Sequence, residues 1–162
     1  MGMYEQISIA LLVPATILYS LACVSHSWFQ LPGVSYGLWV AKYCDYLSCH
    51  IIPAFFTEEP VWYHVLQALS LFGWSGMVAS LTLLTSKKFD TSLPKLWRYH
   101  KHLVVSAVCI VSVFGISLSL VMFYGKLDES CTSASPQIQW SAFMAAAACA
   151  LQFCAGLLLT QT

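Results

Sequence analysis

The sequence is short of charge. Only 14 of its 162 residues carry a formal charge, seven acidic and seven basic, whereas 59% are hydrophobic. Soluble domains usually contain about 25% charged residues, so this chain has too few to solvate a folded surface. We therefore expect a membrane protein. The same shortage excludes a large soluble enzyme domain, because uncharged stretches take up about half of the chain's length.

Four of the uncharged stretches are long. A membrane-spanning helix needs about 20 mainly apolar residues, and four stretches meet that length. They cover about residues 7–27, 62–85, 103–124 and 139–160. We predict an all-α membrane fold, in which four transmembrane helices form a bundle and the whole chain is one domain. The first stretch is expected to remain as a span rather than be cleaved as a signal peptide.

The basic residues predict how the chain is oriented. Five of the seven lie between the second and third stretches, in a loop at about 86–102. Basic loops stay on the cytoplasmic side, so this loop and both termini are predicted to be cytoplasmic, with the chain in the plasma membrane. The loops at about 28–61 and 125–138 then face outside. Because the sequence stops within the fourth stretch, we expect no cytoplasmic tail.

Catalytic motifs are also lacking. The sequence has no Cys-x-x-Cys pair, no phosphate-binding glycine loop and no nucleophile elbow, and no Asp, Glu, Lys or Arg lies in a predicted span. We expect neither an enzyme nor a single-chain transporter, and no metal, cofactor, nucleic acid or small-molecule substrate. Gln67 and Gln152, enclosed by apolar sequence, are expected to form hydrogen bonds between helices.

The first outer loop predicts a small antiparallel sheet. Residues 28–31 lead through a Pro-Gly turn into residues 34–40, which are rich in β-branched and aromatic types. Both segments are typical of strands. We predict two strands joined by this turn.

Two cysteines follow in the same loop. Cys44 and Cys49 flank a short polar-edged turn, and we predict a disulfide between them, since this loop faces the oxidising side. Cys131, in the second outer loop, is left as either a free thiol or a partner in an intermolecular bond. Four further residues of the first loop are candidates for contact with a partner. They are Phe55, Phe56, Glu58 and Glu59.

These outer-loop residues resemble the signature of the claudin superfamily. The matching positions are Trp28, Gly37, Leu38, Trp39, Cys44 and Cys49. The chain length and residues 66–68 look most like the peripheral myelin protein and epithelial membrane protein branch. The resemblance implies a left-handed four-helix bundle with an extracellular sheet built mostly from the first loop. It also implies action without catalysis, in cell contact, in paracellular sealing or as an auxiliary subunit of a channel or receptor.

The sequence departs from this family in four respects. Its first loop is shorter than in claudins proper, its two outer-loop cysteines are closer together, and no cytoplasmic tail is expected. The whole sequence also contains no Asn, so the N-glycosylation site usual in the myelin and epithelial branch is missing. These departures favour a partner within the membrane. We predict a protein that binds a larger membrane protein, a channel or receptor, through helix faces and the outer sheet. The alternative is cell-cell adhesion or barrier formation at cell junctions.

Small residues recur along the predicted spans at the spacing of helix contacts. They are Gly76, Ser80, Gly115, Ser119, Ala142, Ala146 and Ala150. Small side chains let helix backbones approach closely, and this drives association where lipid gives no hydrophobic advantage. Such faces either pack within the bundle or bind another protein's helix. An outward-facing row on the third or fourth span is the expected exception to packing within the bundle.

Overall fold

Four long apolar helices make up most of the structure, a computed structural model that describes residues 3–54, 60–86, 100–130 and 132–161. They are α1 (Met3–Val24), α2 (Val61–Thr85), α3 (Lys101–Ser130) and α4 (Trp140–Leu159). Each is long and apolar enough to cross a membrane. All four predicted apolar stretches are therefore confirmed as helices.

The third helix differs most from its predicted span, because it continues beyond residue 124 to Ser130. In this extension Leu127 is buried in the core, whereas the Lys126 ammonium pairs with the Glu129 carboxylate at 2.6 Å on the exposed side. A charged segment stays helical when one of its faces still packs against the core. The predicted outer segment at about 125–138 therefore begins with the last turns of α3.

A five-stranded antiparallel sheet lies at one end of the helices, in the order β4-β3-β2-β1-β5. Its strands are β1 (Phe29–Leu31), β2 (Val34–Tyr36), β3 (Val40–Cys44), β4 (Cys49–Pro53) and β5 (Gln137–Ile138). We call this end of the bundle the sheet end. Four of the strands come from the segment between α1 and α2. The fifth comes from the segment between α3 and α4.

The sheet is larger than the predicted pair of strands. Residues 28–31 do contain a strand, and the turn that follows them has Gly33 at a φ of 82°, a backbone region that favours glycine. Residues 34–40, however, are not one strand. The chain bends at 37–39, so β2 and β3 are separate strands that pair with each other.

The helices pack as two antiparallel pairs, α1 with α4 and α2 with α3, which share the most extensive helix contacts. The core at the sheet end is rich in aromatic rings. These are Tyr19, Trp28, Phe29, Tyr63 and Phe123. At the opposite end the core consists of smaller side chains. These are Leu12, Leu84, Val105, Cys109, Ala155 and Leu159.

Candidate functional site

Trp28 joins the sheet to two helices. Its side chain is completely buried, and its indole Nε1–H donates to the Ala22 carbonyl at the end of α1, at 2.6 Å. Its backbone N–H donates to the Tyr36 carbonyl of β2, and its carbonyl accepts from the Gln139 N–H just before α4, both at 2.9 Å. The ring lies against Phe123 of α3, with centroids 6.4 Å apart. Trp28 therefore fixes where the sheet sits on the bundle.

Gly37 lies where β2 turns towards β3 and touches the link between α1 and β1. A Cβ at this position would lie 2.3 Å from the Ser25 carbonyl oxygen and 2.7 Å from the His26 Cα. Both are backbone atoms that cannot rotate away. The Gly37 carbonyl also accepts a hydrogen bond from the Tyr63 hydroxyl of α2. The position therefore requires glycine because of close backbone approach.

Leu38 and Gln67 make a second connection between the sheet and α2. Leu38 is buried, and its carbonyl accepts a hydrogen bond from the Gln67 amide Nε2 at 2.9 Å. The other amide atom, Oε1, lies 3.3 Å from Nδ1 of His64. The expectation that Gln67 bonds between helices is therefore wrong. Its partners are the outer segment and a residue one turn away on its own helix.

Trp39 completes the motif. Its carbonyl accepts from the Ala54 N–H at 2.9 Å, beyond the end of β4, and its half-buried side chain packs against the aromatic core. All four motif residues thus position the sheet on the helices. Their contacts are structural anchors rather than an exposed binding surface.

The predicted disulfide between Cys44 and Cys49 is present. The two cysteines form the last registered pair of the β3–β4 hairpin. At the tip, the Asp45 N–H donates to the Ser48 carbonyl at 2.9 Å, and the Ser48 hydroxyl lies 2.8 Å from His50 Nε2. The covalent bond and these contacts hold the two strands together at the free end of the hairpin.

Burial decreases across the sheet from β1 to β4. Both outer residues of β1 are buried, β2 is partly buried, and every residue of β4 is exposed. At the hairpin tip Tyr46 and Leu47 are about fully exposed, at 104% and 99%. Large apolar side chains displayed in this way on a constrained loop are typical of interaction surfaces. Sequence reasoning missed them, although an aromatic and an aliphatic residue in a polar-edged turn were visible.

Five of the seven small residues singled out on the helices face the bundle interior. On α2 and α3, a Cβ at Gly76 would lie 1.8 Å from the Ser112 Oγ, and the Ser119 hydroxyl donates to the Leu66 carbonyl at 3.4 Å. The five buried or closely packed positions are Gly76, Ser80, Gly115, Ser119 and Ala142. These residues allow the helices to approach one another.

Ala146 and Ala150 of α4 are exposed instead. They belong to the same four-residue repeat as Ala142, but each step of four advances about 40° around a helix of 3.6 residues per turn. The first step, from Ala142 to Ala146, already brings the row from the core to the surface. The neighbouring Cys154 is exposed as well. This row is the outward-facing part of the small-residue pattern.

An apolar groove lies between α3, α4 and the sheet, beside Ala142 and Ala146 of that row. Its volume is about 310 Å³. It is lined by Phe29, Leu120, Val121, Tyr124, Ile138, Ala142, Phe143 and Ala146. Val121 and Phe143 are among the most exposed large residues of their helices. No pattern in the sequence predicted this groove, because β5 supplies one of its walls.

A smaller groove of about 210 Å³ lies between α1 and α2, the helix pair with fewer mutual contacts. Trp39 and Trp74 line it, and the Trp74 Nε1–H donates to the Ser20 hydroxyl at 2.9 Å. Both partners of this bond line the groove. The groove at α3 and α4 is therefore the larger of the two and has more apolar walls.

Several predicted residues cannot be assigned to either surface. Phe55, Phe56, Glu58 and Glu59, and also Cys131, lie outside the described residues. Among residues that are described, no group of three or more His, Cys, Asp or Glu side chains could hold a metal ion.

Comparison with known proteins adds no assignment. No protein-family model matches the chain, and no curated protein matches it either. The fold and surfaces define a chain with four helices able to cross a membrane, a disulfide-pinned sheet at one end, and exposed apolar surfaces as its candidate sites.

Proposed function

We propose that this chain is a claudin-like protein of the plasma membrane, with four spans and with the sheet on the extracellular side. The Cys44–Cys49 disulfide supports this orientation, because such bonds persist on the oxidising side of a membrane. The sheet end also has the aromatic residues Trp62, Tyr124 and Trp140 near the helix ends, as expected at headgroup depth. The loop at 86–102 and both termini are then cytoplasmic.

The resemblance to the claudin superfamily gains support from what its motif residues do. Trp28, Gly37 and Leu38 hold the sheet on the helices through hydrogen bonds. Trp39 bonds to Ala54 beyond β4 and packs against the core. A motif that serves one shared architecture is a reason to expect that architecture wherever the motif recurs. The proposed family therefore rests on fold, and function has to be argued from the exposed surfaces.

We further propose that the protein associates laterally with a larger membrane protein, a channel or a receptor. The observation that carries this proposal is the exposed face of α4, where Ala146 and Ala150 continue directly from the apolar groove. Small residues beside a groove let a second helix approach closely. The groove takes the larger side chains of that helix.

The sheet extends this surface beyond the lipid. Ile138 of β5 lines the groove and is half exposed, so a partner that lies along α4 also meets the sheet. Contact with both the α4 face and the sheet makes binding more selective than contact with α4 alone. The protein acts by binding in this proposal, without a catalytic step, a cofactor or a nucleic acid.

Copurification tests the proposal. The tagged chain is extracted from a native membrane in mild detergent, and proteins that accompany it in stoichiometric amount are identified by mass spectrometry. Ala146→Phe should abolish the association by filling the α4 face. Ala10→Phe makes the same change at an exposed position of α1 and should retain it. A chain that runs without a stoichiometric partner at every detergent strength would contradict lateral association.

The second candidate function is cell-cell adhesion or barrier formation. The specific observation in its favour is the hairpin tip, where Tyr46 and Leu47 project from a disulfide-held loop. Apolar anchors at the end of an extracellular element suit contact with a facing cell. Expression in non-adherent cells separates the two functions. Enrichment at cell contacts would support adhesion, and a uniform surface distribution would support lateral association.

A further inference from the structure

Gln152 is the largest fully buried polar side chain on α4. It has no exposed surface, and it lies in the half of the bundle opposite the sheet, beside Cys109 of α3. Neither its Nε2 nor its Oε1 has a hydrogen-bond partner among the described residues. The expectation that Gln152 bonds between helices therefore rests on the Cys109 thiol of α3, which lies beside the amide and is a weak hydrogen-bonding group.

Gln67 provides the comparison, because it is the other buried glutamine of the helices. Its Nε2 donates to a backbone carbonyl at 2.9 Å and its Oε1 faces an imidazole nitrogen. A buried amide in an apolar surrounding needs such partners, since its desolvation is otherwise uncompensated. Nearly all buried polar groups in native proteins have a partner, either a protein atom or an ordered water.

Three buried hydroxyl groups in this half of the bundle do not supply a proton to Gln152. Ser8 donates to the Ala155 carbonyl at 3.3 Å and Ser106 donates to the Gly156 carbonyl at 2.7 Å. Ser80 donates to the Gly76 carbonyl at 2.8 Å. Each hydroxyl has therefore used its single proton and can only accept further bonds. Oε1 of Gln152, which needs a donor, finds none among these three.

The thiol of Cys109 lies against both the Gln152 amide and the Ser80 hydroxyl. A thiol is a weak donor and a weak acceptor, so it can satisfy at most one side of the amide poorly. Water supplies two protons and two lone pairs. We propose that Gln152 binds an ordered water molecule between α2, α3 and α4, with a water O–H donating to Oε1.

This hydration site depends on the packing of α2, α3 and α4 and not on the proposed partner or orientation. Failure of the lateral-association experiment would leave it untouched. Its ligand is a single water molecule or a small water cluster held by the amide, the thiol and the spare lone pairs of the serine hydroxyls.

The test is a structure of the full chain in lipid nanodiscs, at a resolution that shows ordered water, for the wild type and for Gln152→Leu. The wild type should show a density peak about 2.5–3.0 Å from Oε1, the usual range for O–H···O bonds. The peak should be lost in the variant. A wild-type structure in which Oε1 accepts from a protein group, with no peak beside it, would overturn the proposal, as would a peak that survives in Gln152→Leu.

Radiolytic labelling supplies a measurement that does not depend on diffraction or on the variant's packing. X-ray radiolysis turns bound water into hydroxyl radicals that oxidise adjacent side chains. In the wild type, Cys109 should be oxidised more heavily than Cys149, a buried thiol of the same bundle. Equal labelling of the two thiols in the wild type would count against a water molecule at Gln152.

Discussion

Replacing Gly37 with alanine should loosen the whole sheet from the helices. The added methyl group would lie 2.3 Å from the Ser25 carbonyl oxygen and 2.7 Å from the His26 Cα. Distances below 3 Å to backbone cannot be relieved by a rotamer change. The bend between β2 and β3 must therefore move away from the end of α1.

The magnitude follows from what that movement disrupts. Overpacking a close contact costs about 1–3 kcal/mol. The bend also carries the carbonyls of Gly37 and Leu38, which accept from Tyr63 and Gln67 of α2. Each lost hydrogen bond costs about 1 kcal/mol. The total is about 3–5 kcal/mol, a large part of the 5–15 kcal/mol that stabilises an ordinary domain.

Thermal unfolding in mild detergent, followed by tryptophan fluorescence, measures the effect. For a chain of this size each kcal/mol lowers Tm by about 2–4 °C, so Gly37→Ala should lower it by roughly 6–20 °C. Trp28 lies at the junction, and its emission should shift to the red in the same transition.

Gly125→Ala is the matched control. This glycine lies in α3, and an added Cβ would meet no atom within 4 Å. Alanine is favoured over glycine in a helix by about 1 kcal/mol, so Tm should stay or rise slightly. The reasoning about Gly37 would be refuted if both variants unfolded at the wild-type temperature.

Four further predictions follow from the same contacts. Replacing Cys44 and Cys49 with serine should destabilise the hairpin by about 2 kcal/mol, because the bond closes a short loop. Amide hydrogen exchange should then rise in β3 and β4 but not in the helices. Unchanged exchange in these strands would contradict the role given to the bond. Gln67→Leu leaves the Leu38 carbonyl without its donor and should cost about 1–3 kcal/mol in thermal unfolding, while Gln6→Leu at an exposed position should be neutral. Gly76→Ala should destabilise the contact of α2 with α3 by about 1–3 kcal/mol. Adding Ser112→Ala should restore part of the lost stability, because the clashing Oγ is removed. If the double variant is no more stable than Gly76→Ala, the clash is not with Ser112. Replacing Tyr46 and Leu47 with serine should change the free energy of unfolding by less than about 1 kcal/mol, because both side chains are fully exposed. A larger loss in thermal unfolding would mean that the tip packs against the protein.

The sequence predicts the parts of this fold that depend on local composition. Uncharged apolar stretches locate the four helices, and two cysteines across a short turn locate the disulfide. The predicted third span ends at about residue 124, before the charged residues, whereas α3 continues to Ser130. Charge marks where a chain leaves an apolar layer, whereas a helix ends only where its backbone bonds and packing end.

Features that depend on distant residues were not predictable from local pattern. Strand β5 forms because Ile138 pairs with Phe29, two residues that are separated in the sequence by α2 and α3. The groove beside α4 exists only because that pairing brings the strand there. The orientation of Ala146 similarly depends on how far α4 has turned since Ala142, which a four-residue repeat does not reveal.

The residues that carry the family resemblance and the residues that carry the proposed function are separate sets. Trp28, Gly37 and Leu38 are buried or closely packed and use their hydrogen bonds to join sheet and helices. A substitution there is expected to change the stability of this chain, whatever the chain binds. Selectivity between partners has to come from exposed positions, where a change costs little stability. The apolar face at Phe143 and Ala146 and the hairpin tip at Tyr46 meet that condition. Under the proposed function, separate exposed positions would therefore set the lateral partner and the extracellular contact.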